Sequence, residues 1–105
     1  MDTLNKAQLK FLRKTSHNHK PLFQMGKLGL TEAFIDQVDG ALDKREVLKF
    51  HLLQNSDEDL NEVTQTIANH VGAHIVQVIG STAILYRESS KDKFQEISKE
   101  VNKLR

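Results

Sequence analysis

The spacing of apolar residues divides the chain into alternating helical and extended stretches. Leu4, Ala7, Phe11 and Leu12 recur at helical spacing and Thr3 stands as a cap, so the pattern predicts a first helix running to about Lys14. Asn18 to Pro21 breaks it, because the residue before a proline disfavours helical angles. Pro21 to Met25 reads as a short strand with proline at its permitted first position. Gly26-Lys27-Leu28-Gly29 is then a tight loop leading straight into a second helix, with Thr31 as cap and Leu30 set to staple against Ile35. Phe34, Ile35, Val38, Ala41 and Leu42 give that helix a buried face, and Asp36, Asp39 and Asp43 lie toward solvent. Gly40 weakens the helix by roughly 1 kcal/mol relative to alanine, a sacrifice that suits close packing.

Glu46 to Leu53 follows as a strand with Leu48, Phe50 and Leu52 on one face. Ser56-Asp57-Glu58-Asp59 resembles a capping box opening a third helix, whose inward residues are Leu60, Val63, Ile67 and Val71 and whose left-handed cap is Gly72. His74–Ile79 and Thr82–Arg87 are strands, and Gly80-Ser81 between them suits a type II′ hairpin turn. From Ser89 on, Phe94, Ile97, Val101 and Leu104 repeat at spacings of three and four, which predicts a C-terminal amphipathic helix. The expected order is α-β-α-β-α-β-β-α: an α/β domain of α+β character over residues 1–88, with a mixed four-stranded sheet, and a helical tail over 89–105.

Composition narrows the chemistry. At 105 residues with 38% hydrophobic and 28% charged side chains, the chain has enough for one packed core. With no cysteine, disulfides, thiolate zinc sites, iron–sulfur clusters and thiol nucleophiles are excluded. There is no apolar run of membrane-spanning length and no signal-like start, so a cytoplasmic protein without membrane contact is expected. The near-neutral total hides an asymmetry: residues 1–30 carry six bases against one acid, and residues 31–70 carry nine acids against three bases. The N-terminal third is therefore anion-seeking.

Within that third, Lys6, Lys10, Arg13, Lys14 and His17 fall on one stripe of the first helix, with Lys20 just beyond. The Gly26-Lys27-Leu28-Gly29 loop adds what a phosphate needs: glycines that allow close backbone approach, a mobile cation, and the free amides of the helix that follows. KH domains clamp nucleic-acid backbone with a GxxG loop of this kind. It is neither a P-loop nor a dinucleotide fingerprint, since Leu30 follows the second glycine. The five histidines share no ligand set; His17 and His19 are read as surface residues near phosphate, and no metal, cofactor or catalytic set is implied. The few aromatics sit at inward positions, which argues against a base-stacking platform.

Several segments together carry a family likeness: Leu4 to Arg13, Met25-Gly26-Lys27-Leu28-Gly29-Leu30-Thr31, Ala41-Leu42, Glu46-Val47-Leu48-Lys49-Phe50, and above all Val78 to Arg87. In these the sequence resembles the bacterial YhbY family, single-domain members of the CRM group (chloroplast RNA splicing and ribosome maturation). The resemblance implies an RNA-binding domain similar in fold to the C-terminal domain of bacterial translation initiation factor three. It also implies association with precursors of the large ribosomal subunit, while organellar relatives act in group II intron splicing. The family's GxxG loop maps onto Gly26, Lys27, Leu28 and Gly29, and Ser81 departs from a basic residue expected in the hairpin turn. The expectation is a monomeric, non-catalytic protein that binds structured RNA, large-subunit ribosomal RNA or its precursor particle. Lys6, Lys10, Arg13, Lys14, Lys20, Gly26, Lys27, Leu28 and Gly29 are its candidate contacts. The alternative is a protein-interaction module acting through the acidic second helix or the C-terminal helix.

Overall fold

A computed structural model describes residues 3–105. In chain order they form α1 (Lys6–Ser16), β1 (Phe23–Met25), α2 (Glu32–Arg45), β2 (Val47–Leu52), α3 (Leu60–Val71), β3 (His74–Ile79), β4 (Thr82–Tyr86), a 3₁₀ turn (Asp92–Phe94) and α4 (Ile97–Asn102). The mixed four-stranded sheet has the order β1-β2-β4-β3. β1 and β2 pair in parallel, while β4 is antiparallel to both β2 and β3. The hairpin thus inserts β4 between β2 and β3, so the crossover through α3 joins strands that are not neighbours. Gly80 has φ 58° and Ser81 has no positive φ, which excludes the type I′ turn and fits the expected II′.

Period-two alternation gives the sheet two faces, and helices pack on both, over the whole of the first and part of the second. On the first, Leu48, Phe50, Ala83 and Leu85 pack with Val38 and Leu42 of α2 and Val63 and Ile67 of α3. Phe34 meets Phe23 and Phe50 edge-on, with ring centroids 6.1 and 5.6 Å away. On the second, Val47, Ile84, Tyr86 and Val76 pack with Leu12 of α1 and Val101 of α4. Burial pushes the Tyr86 hydroxyl pKa up, with Glu46 and Glu88 adding to the shift.

Local chemistry moved several predicted boundaries. Asn5, not Thr3, caps α1: its side chain accepts the Gln8 amide at 2.8 Å and the Gln8 side chain accepts the Asn5 amide at 2.9 Å. The buried line of α1 is accordingly Gln8, Leu12 and Ser16, while Ala7 is exposed. Gln8 Nε2 also donates to the Val101 carbonyl, a polar burial that a hydropathy pattern cannot show. Asp59 rather than Ser56 caps α3, accepting the Glu62 amide, and Ser56 only closes the preceding turn. Gly40 packs against nothing, since a Cβ there meets no atom within 4 Å.

The tail is not one helix from Ser89. Its first half makes only a 3₁₀ turn of its own and is fastened to α2 and its C-cap by side chains. Glu46 accepts the Ser89 and Ser98 amides, and Asp43 accepts the amide and hydroxyl of Ser90. Only six residues are left to form α4, which packs on α1 as Asn5 Nδ2 and Gln8 Nε2 reach the Leu104 and Val101 carbonyls.

Candidate nucleic-acid interface

The loop joining β1 to α2 closes as a type I turn. The Gly29 amide donates to the Gly26 carbonyl at 3.0 Å, and neither Lys27 nor Leu28 has the positive φ that other tight turns require. Gly29 occupies the fourth position with φ 65°, and a Cβ there would lie 2.9 Å from the Glu58 carboxylate. A Cβ on Gly26 meets only ordinary contacts at 3.5 Å. The two glycines differ: the backbone demands Gly29, whereas Gly26 has ordinary backbone angles and room for a Cβ.

Lys27 and Leu28 form the tip. Leu28 is 88% exposed, and Lys27 is exposed with no hydrogen bond or ion pair among the described residues. Behind them Thr31 caps α2, its hydroxyl accepting the Phe34 amide at 3.0 Å. That leaves the Glu32 and Ala33 amides without intrahelical partners, at the positive end of the helix dipole. Below the tip lies a hollow of about 260 Å³, bordered by Gln24, Lys27, Leu28, Thr31 and Phe34.

Lys6, Lys10, Arg13 and Lys14 of α1 are exposed and unpaired among the described residues, as is Lys20 in the connection that follows. His17 and His19 are exposed too. Lys49 Nζ donates to the His19 carbonyl at 3.0 Å, tying this connection to β2. The structure divides the predicted set. Lys20 and the loop stand at opposite ends of the edge strand β1, while the helical stripe lies over the second sheet face, away from α2. Lys6 belongs to the end of α1 fastened to the tail.

One electrostatic feature escaped the sequence reading. Asp57, Glu58, Asp59 and Glu62 gather with Leu30 around a second hollow beside the loop, and the Glu58 side chain rests against Gly29. The signal was in the run Asp57-Glu58-Asp59, which reads as helix capping until the fold sets it against the loop.

Parts of the surfaces of the alternative reading are engaged within the chain, while Glu32 and Asp36 of α2 are exposed. Arg87 Nη1 binds the Asp39 carboxylate and the Val71 carbonyl, and Nη2 the Asp39 carbonyl, so one guanidinium ties β4 to α2 and α3. The Ser90 amide and hydroxyl hold the Asp43 carboxyl below the usual carboxylate range, with Arg87 and Lys91 adding to the effect. Ile97 and Val101 of the tail stripe pack into the second core.

The CRS1 / YhbY (CRM) domain model matches residues 4–87. The chain belongs to the CRS1/YhbY (CRM) family. Among CRM proteins it is 40% identical over 90 residues to "Probable RNA-binding protein YqeI" of Bacillus subtilis, covering 86% of this chain and 94% of that one. It is 32% identical over 95 residues to a Haemophilus influenzae protein named "RNA-binding protein", covering 90% and 96%. The solution structure of a Staphylococcus aureus protein, described as a candidate RNA-binding protein, superposes with a TM-score of 0.72 at 41% identity, covering 90% of this chain and 98% of that one. The matched CRM segment holds every predicted contact residue and both hollows beside the loop.

Proposed function

We propose that this CRM protein is a monomeric, non-catalytic RNA-binding protein of the cytoplasm that takes part in ribosome assembly, on large-subunit ribosomal RNA or its precursor particle. The observation that carries this reading is the Gly26–Gly29 turn: an exposed, unpaired Lys27 sits at the tip of a glycine-flanked turn that leads into the open amide end of α2. The relatives named as RNA-binding proteins support it. In this reading Gly26, Lys27, Leu28 and Gly29 meet the phosphate backbone, and Lys6, Lys10, Arg13, Lys14 and Lys20 extend the contact. Such contacts set register and orientation and release counterions; they do not read bases.

The test is affinity for precursor large-subunit RNA measured across a salt series. Lys27→Ala weakens binding to all sequences alike and lowers the salt slope by about one contact. Leu28→Asp weakens it more, by placing a carboxylate at the exposed tip, and Lys10→Ala with Arg13→Ala acts from the helix. Asp36→Ala, exposed on α2, leaves affinity unchanged. Loop and helix variants that bind with wild-type affinity and salt slope overturn the reading.

A further inference from the structure

The second face of the sheet is only partly covered. Its rows run across the strands by register: Val47, Tyr86 and His74 in one, Lys49, Ile84 and Gln77 in the next, and Gln24, His51, Thr82 and Ile79 in the last. The core under α1 and α4 ends at Ile84. In the last row Gln24 is exposed, Ile79 is 59% exposed, and His51 and Thr82 are half-buried.

This open row adjoins the loop. The Leu53 amide donates to the Met25 carbonyl at 2.8 Å and the Leu52 amide to the Ser81 carbonyl at 2.7 Å, gathering the loop, residues 53–55 and the hairpin turn at one end of the sheet. Gln24 belongs both to the row and to the hollow below Lys27 and Leu28.

We infer that the row Gln24–His51–Thr82–Ile79 is the track along which a single-stranded RNA segment leaves the Gly26–Gly29 loop, its bases turned toward Gln24, His51 and Thr82. The inference rests on the loop reading proposed above and adds a direction and a substrate class to it. Charge sets the direction. On the α3 side of the loop a phosphate chain meets Asp57, Glu58, Asp59 and Glu62, whereas the row holds no acid and the row beside it carries Lys49, its ammonium on the His19 carbonyl.

Side-chain chemistry sets the class. An amide, an imidazole and a hydroxyl offer both donors and acceptors to base edges. The His51 Nδ1 and Thr82 Oγ1 contact at 3.3 Å leaves Nε2 and the Gln24 amide unengaged among the described residues. Ile79 adds an apolar surface for a base or ribose. At about 4.8 Å per strand the row spans roughly 14 Å. Unpaired bases present their edges to such a surface, while the major groove of an RNA duplex is too deep and narrow for side chains to read.

The experiment uses the full chain and labelled single-stranded homopolymers of A, U and C, with fluorescence anisotropy read at two salt concentrations. Gln24→Glu places a carboxylate on the track and weakens single-strand binding about tenfold. Asn69→Glu puts the same charge at the exposed far end of α3 and stays within about twofold of wild type. His51→Ala changes the affinity ranking of the homopolymers without changing the salt slope, since it removes a base contact rather than a phosphate contact. Melting curves confirm that these exposed or half-buried sites leave the fold intact. If Gln24→Glu binds within twofold of wild type, or His51→Ala keeps the wild-type ranking, the track is overturned. Should Lys27→Ala still weaken binding in that case, the loop reading survives without it. If Lys27→Ala and Leu28→Asp are also inert, the loop reading fails and the track fails with it.

Discussion

Glu46 Oε1 accepts the backbone amide of Ser98 at 2.9 Å, across 52 residues of chain. Its other oxygen accepts the Ser89 amide at 2.7 Å, its own amide donates to the Leu42 carbonyl, and its carbonyl accepts the Arg87 amide. One fully buried residue therefore joins the end of α2, the start of β2, the end of β4 and the tail. The arrangement requires φ 65° at a non-glycine residue, which costs about 1–2 kcal/mol. Against that strain stand the two tail amides that the carboxyl satisfies, each of which would cost about 1–3 kcal/mol if buried without a partner. Glu46→Ala leaves two amides unsatisfied and is expected to destabilise the fold by about 3 kcal/mol. Glu46→Gln retains one acceptor and should fall between. Thermal or urea unfolding checks both, and a wild-type melt for Glu46→Ala would show that the clamp contributes nothing.

Gly40 supplies the opposite case. It lies within α2, exposed, with open space where a Cβ would be. Its sequence position suggested close packing; the structure leaves only the helix penalty. Gly40→Ala should raise stability by about 0.5–1 kcal/mol through lower unfolded-state entropy and better helix propensity, and RNA affinity should not change. A lower melting temperature would reveal a contact that this surface does not display.

What could be read beforehand follows from how local each cause is. Period and turn chemistry sufficed for the four strands, for α2 and for the end of α3, because Thr31, Gly72 and Gly80 act on backbone within a few residues of themselves. A strand–helix–strand unit implies parallel neighbours, and nothing local shows that β4 separates β2 from β3. The break in the tail was illegible, because Glu46 and Asp43 reach it from more than forty residues away and are indistinguishable in sequence from solvated acids. The buried Gln8 was hidden for the same reason: its partner is Val101. At the candidate site the loop and its cations were plain from residue type. The open row was not, since Gln24, His51 and Thr82 become neighbours only through strand register.

Asp43 predicts a pH dependence with a definite sign. Its carboxyl pKa is lowered in the folded chain, chiefly by the Ser90 amide and next by the Ser90 hydroxyl. A group depressed in this way adds stability above its unfolded pKa, and the addition is lost as pH falls through the folded value. Asp43→Asn should therefore melt below wild type at neutral pH, and the gap should close once the medium is acidic enough to protonate the wild-type carboxyl. A gap that stays constant through that range would assign the difference to hydrogen-bond geometry instead of charge.

The loop glycines separate folding from binding. Gly29→Ala encounters two obstacles: a positive φ and the Glu58 side chain 2.9 Å from the new Cβ. The second is minor, since Glu58 is exposed and its side chain can swing aside; the first costs about 1–2 kcal/mol at a residue with a Cβ. Gly29→Ala should then destabilise by about that amount, and a Glu58→Ala background should recover little of it. Gly29→Asn should lose less than alanine, because asparagine tolerates left-handed backbone. Gly26→Ala has ordinary φ and ordinary contacts, so its melt should stay within about 0.5 kcal/mol of wild type. Its effect should appear in RNA affinity, where a methyl group holds the phosphate off the turn. Full recovery of Gly29→Ala in the Glu58→Ala background would make the contact, not the backbone angle, the reason for glycine. A Gly26→Ala variant that is stable and binds normally would remove Gly26 from the contact surface.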